Sequence, residues 1–176
     1  MSKLKGGGKL PSKPSLSELM KGLAGGFLGI LMLGYLSQAT EFRWLMAPFG
    51  ATCVILFVAP ASPLSQPRNI IGGHFLTTLV GLIALYTLGN SMMVMALAVG
   101  AAIMLMQWFR MVHPPAGANP LLVLLAGQGA VGFDFLFTPV LSGSILLVVI
   151  SCLINNIGRE NSWPIYWYGF SRKKEE

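Results

Sequence analysis

Residues 109–119 read FRMVHPPAGAN. They close a long apolar run with an arginine, a histidine, two adjacent prolines and a glycine. Each proline lacks a backbone N–H and crowds the turn before it, so a regular helix cannot run through Pro114-Pro115. The stretch is therefore a break, followed at once by another apolar segment. Working outward, residues 42–52 read FRWLMAPFGAT. Laid over the first stretch so that Phe42 meets Phe109, the two agree at Arg43 and Arg110, Pro48 and Pro115, Gly50 and Gly117, and Ala51 and Ala118. Thr52 then falls on Asn119, a polar residue in both. Each copy has a helix-forming apolar segment before and after it, which reads as an internal repeat with halves at about 20–88 and 90–156.

The composition sets the solvent. The chain has 176 residues, of which 54% are hydrophobic and 10% charged, whereas a soluble domain carries about a quarter charged residues. From Ile70 to Phe109 there is no charged residue apart from a proton that His74 can take, and from Met111 to Gly158 the one formal charge is Asp134. Runs of this kind suit a bilayer, which a helix spans with about 20 apolar residues. The expected fold is an all-α membrane protein. Its apolar segments lie near 22–40, 44–60, 70–88, 92–109, 114–131 and 136–155: four long spans plus two short or re-entrant elements. Residues 1–18 read as a flexible basic tail, 19–157 as one transmembrane domain, and 158–176 as a cytoplasmic tail.

The formal net charge of +6 is segregated. Lys3, Lys5, Lys9, Lys13 and Lys21 crowd one end; Arg159, Arg172, Lys173 and Lys174 crowd the other. Tails of this kind fit the cytoplasmic side of a membrane better than a nucleic-acid surface, and both termini are expected there. Two topologies remain open. If the short elements cross, six spans put Arg68 and Arg110 on the side of the termini and Asp134 opposite. If they re-enter, four spans put Arg43, Arg68 and Arg110 together on the far side.

Paired Pro/Gly-broken segments in matching halves point to a transport site. A helix that begins inside hydrocarbon leaves its first N–H groups without partners, and these must face protein, water or a ligand. Its N-terminus also carries partial positive charge and suits an anion. Pro48 and Pro115 fit the first turn of such helices. Gly50 and Gly117 permit close approach, and Ala51, Thr52, Ala118 and Asn119 complete the lining. Arg43 and Arg110 precede the breaks, His113 abuts the second, and the loop SPLSQPRNIIGGH adds Arg68, Asn69 and His74. The arginines also fit interfacial snorkelling, and His74 also fits a packing histidine. His113, beside Pro-Pro, fits a site that holds a proton. The substrate inferred from this cation-rich pattern is a small inorganic anion.

No catalytic residues are expected, because no serine or cysteine has a base beside it in sequence. Two histidines without a carboxylate or cysteine cluster give no metal site, and no cofactor is expected. Cys53 and Cys152 read as reduced, buried small residues. Gly22, Gly25, Gly26 and Gly29 form a small-residue face for helix packing in lipid. The expected partners are the bilayer and, because so few helices enclose little space, further copies of the chain in a homo-oligomer. No nucleic-acid partner is expected.

HPPAGAN, PFGAT and SPLSQPRNIIGGH also occur in a known group in the same order as here, and over about residues 20–157 the chain resembles the HPP family of small integral membrane proteins. Members in cyanobacteria and plastids have been linked to nitrite transport, and the family is usually described with four transmembrane helices. The resemblance implies a nitrite carrier or channel in a bacterial plasma membrane or a plastid inner envelope. From the residues alone, formate, nitrate or chloride would serve as well, and a non-transporting scaffold stays open.

Overall fold

The computed structural model describes residues 10–158 and 162–168. Among them are six helices and no strand: α1 (Leu16–Ala39), α2 (Ala47–Val58), α3 (Pro67–Leu88), α4 (Met92–Trp108), α5 (Asn119–Ala126) and α6 (Phe133–Asn155). A 3₁₀ turn, Pro114–Ala118, leads into α5, and another, Pro63–Ser65, leads into α3. Within α6, residues Leu136–Leu141 widen into π-helical turns around Pro139, which absorbs a residue with no N–H to give.

Helices α1, α3 and α6 are long and apolar enough to cross a membrane. The fourth of the expected long spans, α4, has 17 residues and rises about 26 Å, beside a hydrocarbon layer of about 30 Å. Helix α1 starts at Leu16, inside the stretch expected to be a flexible tail to residue 18. Its start is a capping box: Ser15 Oγ accepts from the Glu18 N–H at 3.3 Å, and the Glu18 carboxylate accepts from the Ser15 N–H at 2.8 Å.

Consecutive helices alternate in direction. Along α1 and α2, Gly25 faces Phe57 and Gly29 faces Cys53, an antiparallel pairing. Helix α5 runs parallel to α3, with Asn119 beside Thr78, Pro120 beside Gly81, and Gln128 donating to the Leu85 carbonyl. Helix α2 runs parallel to α6, with Phe49 over Gly143 and the Leu56 carbonyl accepting from Asn155. Each short helix thus lies along the last long helix of the other half of the chain. One end of the bundle gathers the start of α1, the α2–α3 loop, the end of α4 and the end of α6. The other gathers Arg43, the α3–α4 turn and the loop before α6.

Small residues set these approaches, since lipid supplies no hydrophobic drive between helices and close packing must do the work. Of the four expected packing glycines in α1, Gly25 and Gly29 make contact; Gly22 and Gly26 have nothing within 4 Å of where a Cβ would lie.

Residues 162–168, expected to be part of a tail, pack against the bundle instead. Trp163 is buried, and its indole N–H donates to the Pro60 carbonyl at 3.0 Å. Asn156 brackets its backbone, donating to the Trp163 carbonyl and accepting from its N–H. The Ile165 N–H donates to Gln66 Oε1, and the Tyr166 hydroxyl stands 3.2 Å from both Asn69 Oδ1 and the Pro63 carbonyl. The segment straps the α2–α3 loop.

In Gly81→Ala the new methyl meets Pro120 Cα at 2.9 Å, and backbone cannot rotate away. Thermal unfolding in detergent should show a loss of about 1–3 kcal/mol. Gly26→Ala, which points into open space, should be neutral or gain up to about 1 kcal/mol from helix propensity.

Candidate functional site

Two extended lead-in stretches carry the chain into the bundle before a short helix begins. The first, before α2, is anchored by Ser37, whose Oγ accepts from the Trp44 and Leu45 N–H groups at 2.8 and 3.1 Å. The Trp44 indole N–H donates to Thr40 Oγ1. Met46 is extended at the helix N-cap, and Pro48 sits in the first turn, where its missing N–H costs nothing. The second lead-in follows Arg110. Asn69 Nδ2 donates to the Val112 carbonyl at 2.8 Å, His113 is extended, and Pro114 and Pro115 open the 3₁₀ turn. Gly73 makes room for this stretch: a methyl there would meet His113 Cβ at 2.8 Å and the Met111 carbonyl at 3.1 Å.

Between the lead-ins lies a buried polar cluster. Thr52 Oγ1 is 2.8 Å from His74 Nε2, 2.9 Å from His113 Nε2 and 3.0 Å from the Pro48 carbonyl. His113 Nδ1 is 2.8 Å from the Leu64 carbonyl. Asn119 Nδ2 is 3.0 Å from His74 Nδ1, 3.1 Å from the His74 carbonyl and 2.9 Å from Thr78 Oγ1. Phe49 sits edge-on to the His74 ring, and the two imidazoles meet edge-on at 5.1 Å between centroids. All of these side chains are buried; Asn119 Oδ1 alone among the described buried side-chain atoms has no partner.

The residues singled out from the sequence fall into three groups. Thr52, His74, His113 and Asn119 form the cluster, and Asn69 supports the second lead-in. Pro48, Ala51, Pro115 and Ala118 line an open apolar groove of about 700 Å³, together with Val54 and Val58. Gly50 and Gly117 bring no neighbour close: the space where each Cβ would lie is open. The arginines stand at the ends of the bundle. Arg43 is at one end. Arg68 donates to the Phe109 and Tyr168 carbonyls at the other.

Arg110 owes its place to backbone geometry. The Met111 N–H bonds to the Met106 carbonyl and the Arg110 N–H to the Gln107 carbonyl, the pattern that ends a helix through a left-handed residue. Arg110 is that residue, at φ 55°. Thr78 joins the cluster beyond the residues expected from sequence, although it lies one turn after His74 on the same face of α3. The Leu64 carbonyl is a second addition, because a main-chain acceptor leaves no residue-type signature. The loop motif that supplies it holds itself together: Ser62 Oγ accepts from the Leu64 N–H, Ser65 donates to the Ala59 carbonyl, and Gln66 donates to the Pro60 carbonyl.

The sequence matches the family described as HPP, transmembrane region, over residues 11–164. The chain belongs to the HPP transmembrane family. It is similar to two transmembrane proteins of Dictyostelium discoideum. The first is 38% identical over 169 residues, covering 91% of this chain and 59% of the relative. The second is 37% identical over 175 residues, covering 94% and 56%. The chain thus spans less than two thirds of the length of these relatives. No solved structure matches it. The matched HPP region contains the whole cluster, the two lead-in stretches and the strap residues Trp163 and Pro164, and with the apolar helices it identifies an integral membrane protein.

Two outcomes are expected at this site. Asn119→Ala strips donors from His74 and Thr78 in a buried setting and should cost about 1–3 kcal/mol in thermal unfolding. Arg110→Gly relieves a left-handed residue that carries a Cβ and should gain about 1 kcal/mol by the same measurement.

Proposed function

We propose that this HPP-family chain is a membrane transporter or channel for a small monovalent anion, with nitrite first among the candidates. The observation that carries the reading is the meeting of Thr52 and Asn119 on one imidazole. These residues hold matching positions in the two broken stretches, and they approach opposite ring nitrogens of His74, at 2.8 and 3.0 Å. Two short helices that begin at prolines and bring their aligned polar residues to one buried point are the arrangement expected of paired half-helices around a transported ion. We read the halves as a repeat with a pseudo-two-fold axis near His74. The two parallel pairings, α5 along α3 and α2 along α6, fit that symmetry.

The charges fit the same reading. Arg43 stands at one mouth and Arg68 and Arg110 at the other, where they would concentrate an anion before it reaches neutral donors inside. The start of α1, with Lys13 and Lys21, shares an end with Arg68 and Arg110, which favours six crossings with both termini cytoplasmic. A bacterial plasma membrane or a plastid inner envelope is the setting we assign. The choice of nitrite over formate, nitrate or chloride rests on the family resemblance. The apolar groove beside Pro48 and Pro115 leaves room for a homo-oligomer, in which it would face a second copy.

Nitrite uptake into proteoliposomes tests the reading, with the other anions as competitors. Wild-type protein should exceed empty vesicles. His113→Ala should lose at least tenfold. Arg110→Gly, which removes a charge exposed at the mouth, should lose only a few-fold, and less in high salt. A folded sample that moves none of these anions overturns the proposal in favour of a scaffold.

A further inference from the structure

Thr52 has one hydroxyl proton and three partners. A hydroxyl gives one hydrogen bond and accepts two, so the identity of each partner can be worked out. The Leu64 carbonyl only accepts, so His113 Nδ1 at 2.8 Å carries a proton. The His74 carbonyl only accepts, so the Asn119 atom beside it is the amide nitrogen, and it faces His74 Nδ1 as a donor. His74 Nδ1 is therefore bare, and neutral His74 carries its proton on Nε2, aimed at Thr52 Oγ1. Neutral His113 has a bare Nε2, and the Thr52 hydroxyl proton is the donor it faces.

Adding one proton changes this at one torsion. With a proton on His113 Nε2, both histidines donate to Thr52 Oγ1, and the hydroxyl turns to the Pro48 carbonyl at 3.0 Å. The histidine contacts stay satisfied in both states and no heavy atom moves; the Pro48 carbonyl gains the hydroxyl as a donor only in the protonated state. Among the described residues, the neighbourhood supplies no counter-charge. On α3, His74 faces His113, and Arg68 points to main-chain carbonyls at the bundle end. On α2 the neighbour Cys53 turns toward Gly29. Neither the loop 62–66 nor α5 brings a titratable side chain; Tyr166 of the strap reaches the cluster only through Asn69. The carboxylates of the described residues, Glu18, Glu41 and Asp134, are exposed and outside the cluster. Among the described residues, a cationic His113 therefore has no fixed anion to neutralise it.

We infer that Thr52 is a two-position hydroxyl switch, that His113 Nε2 takes up one proton, and that this proton travels with each anion, which supplies the missing counter-charge. The stoichiometry rests on the transport reading; the switch does not. Charge is then moved as a neutral pair, so the cost of a lone ion in hydrocarbon is avoided.

The test reads the protons directly. Protein with 15N-labelled histidine in nanodiscs is titrated downward in pH by NMR, with and without nitrite. At high pH His113 should be protonated on Nδ1 and His74 on Nε2. On acidification His113 should gain its second proton first, and nitrite should raise the midpoint by a pH unit or more, a tenfold linkage. Thr52→Ser should keep this behaviour and Thr52→Val should abolish it. Proteoliposomes with an internal pH dye should show one proton per nitrite for wild type and Thr52→Ser, corrected for empty vesicles. A neutral His113 protonated on Nε2, a titration indifferent to Thr52→Val, or no proton uptake by wild type while folded overturns the switch. Nitrite flux without protons overturns the coupling. The expected NMR result with no flux of any anion instead sinks the transport reading and leaves the switch standing.

Discussion

Backbone that passes into a hydrocarbon layer without forming a helix must find its hydrogen-bond partners inside the protein. Both broken stretches of this chain are answers to that demand. Ser37 serves the first from the end of α1, and Asn69 serves the second from the start of α3. The prolines at the starts of the short helices lower the number of N–H groups that need serving. Once the lead-ins are held, the short helices have fixed origins, and their first two turns place Thr52 and Asn119 on either side of His74. The glycines at 73 and 81 follow from the same demand, because the incoming chain passes too close for any side chain, and Gly143 makes room for the Phe49 ring.

The two polar residues that meet on His74 differ in chemistry. Thr52 is a hydroxyl that can give or accept, while Asn119 Nδ2 can only give. The imidazole of His74 therefore has a fixed direction along its ring. In α6, Ser144 follows Gly143 as His74 follows Gly73, yet its hydroxyl turns back to the Leu141 carbonyl of its own helix. The polar centre is consequently built from α2, α3, the second lead-in and the start of α5, and α6 supplies packing through Gly143 and Leu147. The Arg68 bond to the Phe109 carbonyl joins the start of α3 to the end of α4, which keeps the second lead-in in register with Asn69.

Much of this is legible in the residues. The doubled prolines, the paired Phe-Arg and Pro-x-Gly-Ala, and the match of Thr52 with Asn119 mark both breaks and name three of the four central side chains. Those signals are strong because proline and glycine act through local backbone geometry. What the residues do not spell out acts at a distance or through the main chain. The Leu64 carbonyl is one such group. The Ser15–Glu18 capping box is written in the chain, but its setting among lysines and prolines reads as a solvated tail. Arg110 draws the eye by its charge, whereas its left-handed backbone explains why it stands where it does. Trp163 and Tyr166 sit in an aromatic run between charged residues, WPIYWYGF, and nothing local says that they fold back.

That fold-back has a consequence for how the protein is made. Trp163 reaches the Pro60 carbonyl across 103 residues, and Tyr166 reaches Asn69 across 97. A ribosome delivers the first three helices to the bilayer well before it delivers the strap. Until then, the loop that presents the Leu64 carbonyl to His113 lacks its outer tether. The centre is therefore latched only after Trp163 has been made, and a chain released before that residue would carry all six helices around an unlatched site.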